Sequence, residues 1–264
     1  MTSNKKIIII TSNLHGPHLD IIEYLTNQNK KIEFVLLDNF YYRKNKNKNY
    51  LKFFLKLIKL LKYFFSKPRS VIKYVLYTLQ KKILYQNKNL IDICKKLNLK
   101  IVKVEDLNSD IAYEILKNTD CKFILTLYSR ILSGKFFSID KIFFNLHSLT
   151  LPNFRGLSPI GYREIENDLN YLKINTIFIN ENLDSGNIIK QDIIDIKKNN
   201  FDLIQIEKDA NEKSKKLVIE SIDLVYDDFK GSSQKLSKKI LKNPSLEEFI
   251  NFFDIINIKK KENL

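Results

Sequence analysis

Short runs of aliphatic, β-branched residues alternate with stretches of helical periodicity along most of this chain, and that alternation restricts its fold more than any other feature. Lys6–Thr11, with four successive isoleucines, reads as a buried strand, Leu19–Thr26 as a helix and Ile32–Leu37 as a second strand. Further on, Asn89–Leu97 reads as a helix, Lys100–Val104 as a strand and Ser109–Asn118 as a helix capped by Ser109. Lys122–Leu127 and Ile142–Leu146 follow as strands. A helix is expected from Pro159 to about Asn167, then strands Asn175–Ile179 and Ile188–Ile196 around a loop, Asn180–Asn187. Leu203–Phe229 and Leu246–Phe253 close the pattern as helices. Strands alternating with helices predict an α/β fold with a mostly parallel, doubly wound sheet flanked by helices. We assign 1–200 to a catalytic domain carrying an inserted segment, 41–90, and 201–264 to a helical extension.

Composition narrows the class. Of 264 residues, 44% are hydrophobic and 28% charged, which allows a sizeable core and excludes global disorder. Two cysteines, Cys94 and Cys121, exclude a disulfide scaffold and a cysteine-based zinc module, and three scattered histidines, His15, His18 and His147, do not make a metal site by spacing. We read the cysteines as reduced and buried, in a cytoplasmic protein. Lys5 and Lys6 precede the isoleucine run, but Asn13 and His15 end it too early for a signal-peptide core, and no stretch of about 20 uncharged apolar residues exists to span a bilayer.

The net charge of +15 is concentrated in the inserted segment. Tyr41–Leu90 holds 14 of the 45 Lys and Arg residues and no Asp or Glu, and the remaining 31 bases nearly balance the 30 acids. Within it Tyr50–Phe65 reads as a helix. Lys52, Lys56, Lys59 and Lys62 form one stripe, and leucine, isoleucine and phenylalanine fill nearly everything else. Lys67–Pro68 ends it, and Ser70–Tyr85 reads as a second, weaker helix. At 1.5 Å per residue the first is roughly 24 Å long, short of a hydrocarbon core, so it lies on something rather than crossing it. Three partners are open for residues 50–66: the rest of the protein or a second subunit in a homodimer, an anionic membrane surface, and phosphates of a substrate or nucleic acid.

The chemistry-bearing residues lie elsewhere. Asn13, His15 and His18 sit at a strand-to-helix turn, where α/β folds bind ligands at the carboxyl ends of strands. Asn145 and His147 are two apart at the end of a strand, so they project to one side. Asp184 falls in a tight turn, Leu183-Asp184-Ser185-Gly186, between two strands. An amide, an imidazole and a carboxylate together suit acyl transfer to an amine: the amide stabilises an oxyanion, the imidazole polarises or moves a proton, and the carboxylate orients or deprotonates.

Asn145-Leu146-His147, then Leu151-Pro152-Asn153-Phe154-Arg155-Gly156, then Leu183-Asp184-Ser185-Gly186, together with Arg130-Ile131-Leu132-Ser133, resemble the motifs of the folate-dependent formyltransferases, in order and spacing. The resemblance covers roughly Lys6 to Ile196 around the basic insertion. It implies a Rossmann-like sheet, 10-formyltetrahydrofolate as formyl donor and no metal. It matches Asn145, His147 and Asp184 to the catalytic trio, with Asn145 and a protonated His147 holding the oxyanion and Asp184 paired with His147. It places Arg130, Ile131, Leu132, Asn180, Glu181 and Leu183 around the folate, and Asn13, His15, Arg155 and Gly156 on the acceptor side. Two departures stand out. The serine that follows the histidine is one place early, at Ser148, and Asn13-Leu14-His15-Gly16 replaces the family's glycine-rich first loop.

The acceptor is read by elimination. Methionyl-tRNA formyltransferases carry a β-rich carboxyl-terminal domain, whereas the residues after Asp195 read as helical. Formyltetrahydrofolate hydrolases carry an amino-terminal regulatory domain, whereas the first strand here starts at Lys6. The glycinamide ribonucleotide enzyme lacks an insertion like 41–90. The remaining expectation is N-formylation of a small, nucleotide-linked amino sugar for surface polysaccharide. The alternatives are the methionyl-tRNA or glycinamide ribonucleotide reaction, or a relative without catalysis that binds a membrane surface or nucleic acid. Nucleic acid is not the expected partner.

Overall fold

The computed structural model describes residues 5–40, 49–235 and 240–263. In chain order the elements are β1 (Lys6–Thr11), α1 (His18–Asn27), β2 (Lys31–Asp38), α2 (Asn49–Ser66), α3 (Pro68–Gln86), α4 (Leu90–Lys96), β3 (Ile101–Val104), α5 (Asp110–Lys117), β4 (Phe123–Thr126), a 3₁₀ turn (Gly134–Ser138), β5 (Ile142–His147), β6 (Arg155–Gly156), α6 (Tyr162–Glu166), β7 (Tyr171–Phe178), β8 (Ile188–Asp195), α7 (Leu203–Tyr226), β9 (Ile240–Leu241) and α8 (Leu246–Glu262). Seven strands form one sheet in the order β3-β2-β1-β4-β5-β7-β8. The first five run parallel, and β7 and β8 continue the sheet antiparallel. This is the mostly parallel, helix-flanked sheet that the strand and helix alternation predicts.

The four isoleucines of β1 explain why it is central. Ile7 and Ile9 face one side of the sheet, Ile8 and Ile10 the other, and all four are fully buried. At roughly 2 kcal/mol per buried side chain, this strand alone outweighs the exposed ion pairs at the rim, each worth about 0–1 kcal/mol. On the Ile7/Ile9 face, Val35, Leu125 and Phe144 pack with residues of α1, α4 and α7. On the other, Leu36, Ile124 and Phe143 pack with α5 and with Phe136 of the 3₁₀ turn. A third cluster joins α3, α6, α7 and α8 to the far strands, through Val71, Tyr74 and Tyr77 against Ile250, Phe252 and Phe253. The first helix of 201–264 therefore shares its core with the sheet. Cys94 and Cys121 are free and buried, and burial raises both thiol pKa values, Cys94 to about 11.

The caps follow their sequence signals. Ser109 accepts from Ala112 N, and Ser245 and Glu248 form a reciprocal capping box at the start of α8. Several bounds differ from expectation. β7 starts at Tyr171 because its pairing with β8 continues to Asp195. α8 runs on to Glu262 because its buried face continues through Ile256, and Lys259, Lys260 and Lys261 then complement its carboxyl end. The helix after Pro159 begins only at Tyr162, preceded by Gly161 at φ +73°. The two-residue strands β6 and β9, which pair with each other, carry no periodic signal and were not expected.

Of the basic insertion, residues 41–48 lie outside the described residues. The rest forms α2 and α3, which fold back on each other, with Lys56 Nζ 5.3 Å from the ring centre of Tyr74. Among the described residues, no helix is long and apolar enough to cross a membrane.

Candidate active site

Strand β5 sets the geometry. Its alternation turns Phe144 to the α1/α4/α7 face and Phe143 to the opposite one, with Asn145 and His147 on the side of Phe143. β7 leaves the sheet at the level of Phe144, and the connection that follows returns toward His147. His147 Nδ1 and Asp184 Oδ1 stand 3.5 Å apart, each side chain 8% exposed. Two buried polar atoms beside them have no partner among the described residues: His147 Nε2 and Asn145 Oδ1. Buried polar atoms are normally hydrogen-bonded, so these two are free to bond a water or a ligand group at the strand end. A half-turn of the Asn145 amide exchanges its oxygen for its NH₂, so it can present either.

Burial pushes the His147 pKa below its ordinary value, against the Asp184 carboxylate and a backbone hydrogen bond at Phe154, which raise it. Burial thus favours the neutral ring over the protonated one that the resemblance implies.

The turn that carries Asp184 is held by the Leu151–Gly156 motif. Arg155 Nε donates to Leu183 O at 3.0 Å, and Gly156 N donates to Asp184 Oδ2 at 2.8 Å. Gln234 Nε2 donates to Asp184 O at 3.2 Å and to Gly186 O at 2.7 Å. Asp184 itself has φ +49°. Within the loop, Asn180 Oδ1 accepts from Asn182 N and Ser185 Oγ. Arg155 and Gly156, expected on the acceptor side, thus make these contacts with the Asp184 turn. Nothing in the residue pattern singled out Gln234. Two buried polar residues missed in the sequence brace the strand end from behind. Glu164 Oε1 accepts from Thr150 N at 2.9 Å, and burial raises that carboxyl's pKa. Asn175 Nδ2 donates to Leu149 O at 2.6 Å.

Of the residues expected around the folate, Ile131 is exposed and Leu132 is buried. Asn180, Glu181 and Leu183 lie on the Asp184 loop. The Arg130 guanidinium is occupied within the protein. Its Nε lies 2.9 Å from Asp38 Oδ2, it pairs with Asp106, and it stacks on Phe40. Asp38 is fully buried and also accepts from Ser12 Oγ and Phe40 N. Truncating one partner of a buried pair leaves the other charge uncompensated. Arg130→Ala is expected to lower the unfolding free energy by about 2–4 kcal/mol, read by denaturant titration, with a smaller effect on turnover than His147→Ala.

On the other side, His15 Nδ1 lies 2.7 Å from Lys88 O at the surface, and Asn13 O accepts from His18 Nε2 at 3.1 Å. The His18 ring sits 5.6 Å from that of Tyr128, whose hydroxyl meets Ser148 next to His147. This chain brings the first loop up to the strand end. Burial lowers the His18 pKa to about 4. The unfolded chain therefore binds this proton more tightly than the folded one, and stability falls as pH drops from about 6.5 toward 4, by about 3 kcal/mol in all. His18→Gln is expected to flatten that acid limb, measured as Tm against pH.

A cavity of about 420 Å³, lined by Ile142, Phe178, Asn180, Asn187, Phe229 and Lys230 among others, lies behind the Asp184 loop. None of Asn145, His147 and Asp184 lines it, so it is separate from the histidine–aspartate pair. Among the described residues no cluster of His, Cys, Asp and Glu could hold a metal ion.

Comparison with known proteins matches this geometry to a family. The family model described as formyl transferase matches residues 85–222, more than half of the chain. The methionyl-tRNA formyltransferase of Caldicellulosiruptor saccharolyticus is 33% identical over 130 residues, which is 48% of this chain and 41% of that protein. That of Mycoplasmopsis pulmonis is 30% identical over 178 residues, 62% of this chain and 59% of that one. The matches thus span about two fifths to three fifths of these relatives' length. Among solved structures, the N-formyltransferase of Helicobacter canadensis in complex with folinic acid and dTDP-3-aminofucose superposes with a TM-score of 0.59 at 16% identity, covering 96% of this chain and 80% of that one. Glycinamide ribonucleotide transformylase 1 of Symbiobacterium toebii gives 0.59 at 13%, covering 90% and 96%. At such identities the structural likeness speaks for the fold, and the sequence model carries the assignment: this chain belongs to the formyl transferase family.

Proposed function

We propose that the protein transfers a formyl group from 10-formyltetrahydrofolate to a primary amine, and that the amine belongs to a nucleotide-linked amino sugar. The observation that supports this most is the buried pair of unpartnered polar atoms, His147 Nε2 and Asn145 Oδ1, at the strand end where His147 meets an aspartate whose turn the Leu151–Gly156 motif holds through two hydrogen bonds. The folate supplies an activated formyl carbon when bound. The Asn145 amide donates to the oxygen on which charge develops. Neutral His147, with Nδ1 turned to Asp184, takes the amine proton at Nε2 and passes it to the leaving nitrogen. Asp184 stabilises the imidazolium formed in between. One C–N bond forms, one breaks, and the proton balance closes within the site. In this reading Arg155, Gly156 and Gln234 position Asp184, and the Arg130–Leu132 backbone and the Asn180–Leu183 loop flank the folate. Asn13 and His15 face the acceptor.

A second acceptor class, methionyl-tRNA, is favoured by the identity of the curated relatives. The test is one assay with two arms. Purified protein is incubated with 10-formyltetrahydrofolate and either a panel of nucleotide-linked amino sugars or methionyl-tRNA, with tetrahydrofolate release and formylated product both measured. Product with the sugars alone supports the proposal, and product with the tRNA alone replaces the acceptor. No folate-dependent product in either arm from folded protein would sink the reaction.

A further inference from the structure

The α2–α3 hairpin is apolar on both sides. Its inner side is core: Val71, Tyr74 and Tyr77 of α3 are buried, and Leu60 and Tyr63 of α2 pack against the same cluster. Its outer side is equally regular. On α3, Ile72, Leu76, Leu79 and Ile83 recur at helical spacing opposite the buried tyrosines, and all are exposed. On α2, Ile58, Leu61 and Phe65 form a second outward stripe, Phe65 being 87% exposed. Contiguous exposed aliphatic surface of this kind marks an interaction site rather than ordinary solvent-facing residues.

The charges say what kind of surface it meets. Tyr41–Leu90 has 14 bases and not one acid. Carboxylates from elsewhere meet the inward-facing bases: Lys67 pairs with Asp254, Lys81 with Glu207, and Lys88 with Asp20 and Glu23. Among the described residues, Lys59, Lys62 and Lys82 are exposed as well, on helices not long and apolar enough to cross a bilayer. A second copy of the chain would bring like charge against like charge. Nucleic acid would leave the aliphatic stripe of α3 in water.

We propose that this outer face seats the protein on an anionic lipid surface. The apolar stripes enter the boundary between headgroups and acyl chains, and the lysines and arginines meet the lipid phosphates and carboxylates.

The test is co-sedimentation of the full chain with vesicles of phosphatidylcholine containing about one third phosphatidylglycerol, and with pure phosphatidylcholine. Binding is expected to the first only, and salt is expected to weaken it. Changing Lys59, Lys62 and Lys82 to Gln is expected to reduce it about fivefold per lysine. The variant Ile72→Ser/Leu76→Ser/Leu79→Ser is expected to abolish it at low salt, with an unchanged melting curve because these side chains are exposed. Absence of binding to anionic vesicles by folded wild type would overturn the proposal. So would a dimer in sedimentation velocity that the serine variant converts to monomer, or oligonucleotide binding that the glutamine variant removes while vesicles bind neither form.

Discussion

His147→Ala and Asp184→Ala are each expected to abolish formyl transfer while the chain stays folded. Loss of a positioned acid–base group costs about 10²–10⁴ in rate, and the two groups act as a unit, so the double variant is expected to lose little more than either single one. Asn145→Ala should lower kcat by about 10²–10³ with little change in donor KM, since its amide works on charge that develops in the transition state. Steady-state kinetics with melting curves as the folding control measure all four. Because burial holds the His147 pKa below its ordinary 6.5, the acid limb of kcat/KM in the wild type is expected below that value. Asp184→Asn should move any residual limb lower still, since the carboxylate raises the pKa of His147. Wild-type turnover in either alanine variant would remove these residues from the chemistry.

Gly186→Ala is the second large effect. A Cβ at this position would lie 1.8 Å from the Phe178 carbonyl oxygen, a backbone atom that cannot rotate away. The turn has to move, and Asp184 with it. We expect a stability loss of about 1–3 kcal/mol and a fall in turnover approaching that of Asp184→Ala. Gly134→Ala provides the contrast. Nothing lies within 4 Å of its added methyl, so stability should hold or rise by up to about 1 kcal/mol. Equal behaviour of the two variants in denaturant titration would show that the close approach at Gly186 does not fix the turn.

Much of the architecture was legible because strands and helices here have strong periods. The isoleucine run, the Ser109 cap and the two-residue spacing of Asn145 and His147 needed no tertiary information. What joins the distant motifs was not legible. The Arg155 guanidinium holds the Leu183 carbonyl, and the Gly156 N–H holds the Asp184 carboxylate, across 28 residues of chain, a pairing that neither motif shows by itself. The burial that lowers the His147 pKa is a property of the packed strand end, not of the motif. Gln234 lies in irregular chain about fifty residues from the turn it holds and offers no pattern to find it by. The lysine stripe of 50–65 was evident, but not which apolar side would turn inward. That choice rests on the core that the helix meets, where Leu60 and Tyr63 pack against the cluster of Tyr74, Tyr77 and the α8 phenylalanines.

The reversal of strand direction between β5 and β7 also bears on how the molecule assembles. The β7–β8 hairpin and the helix packed on it are neighbours in the chain, so their pairing closes short loops. The parallel half must instead join Ile7 to Phe123 and Val35 to Ile101, both across the whole inserted hairpin. Loop-closure entropy rises only about 0.6 kcal/mol per doubling of length, so the insertion weighs little on final stability, but distant pairings form slowly. His147 ends the last strand of the parallel half, and Asp184 follows the first strand of the antiparallel one. The 3.5 Å contact between them is therefore made at the seam where the parallel and antiparallel halves meet, and a chain in which that seam is open would keep much of its secondary structure while the histidine and aspartate stand apart.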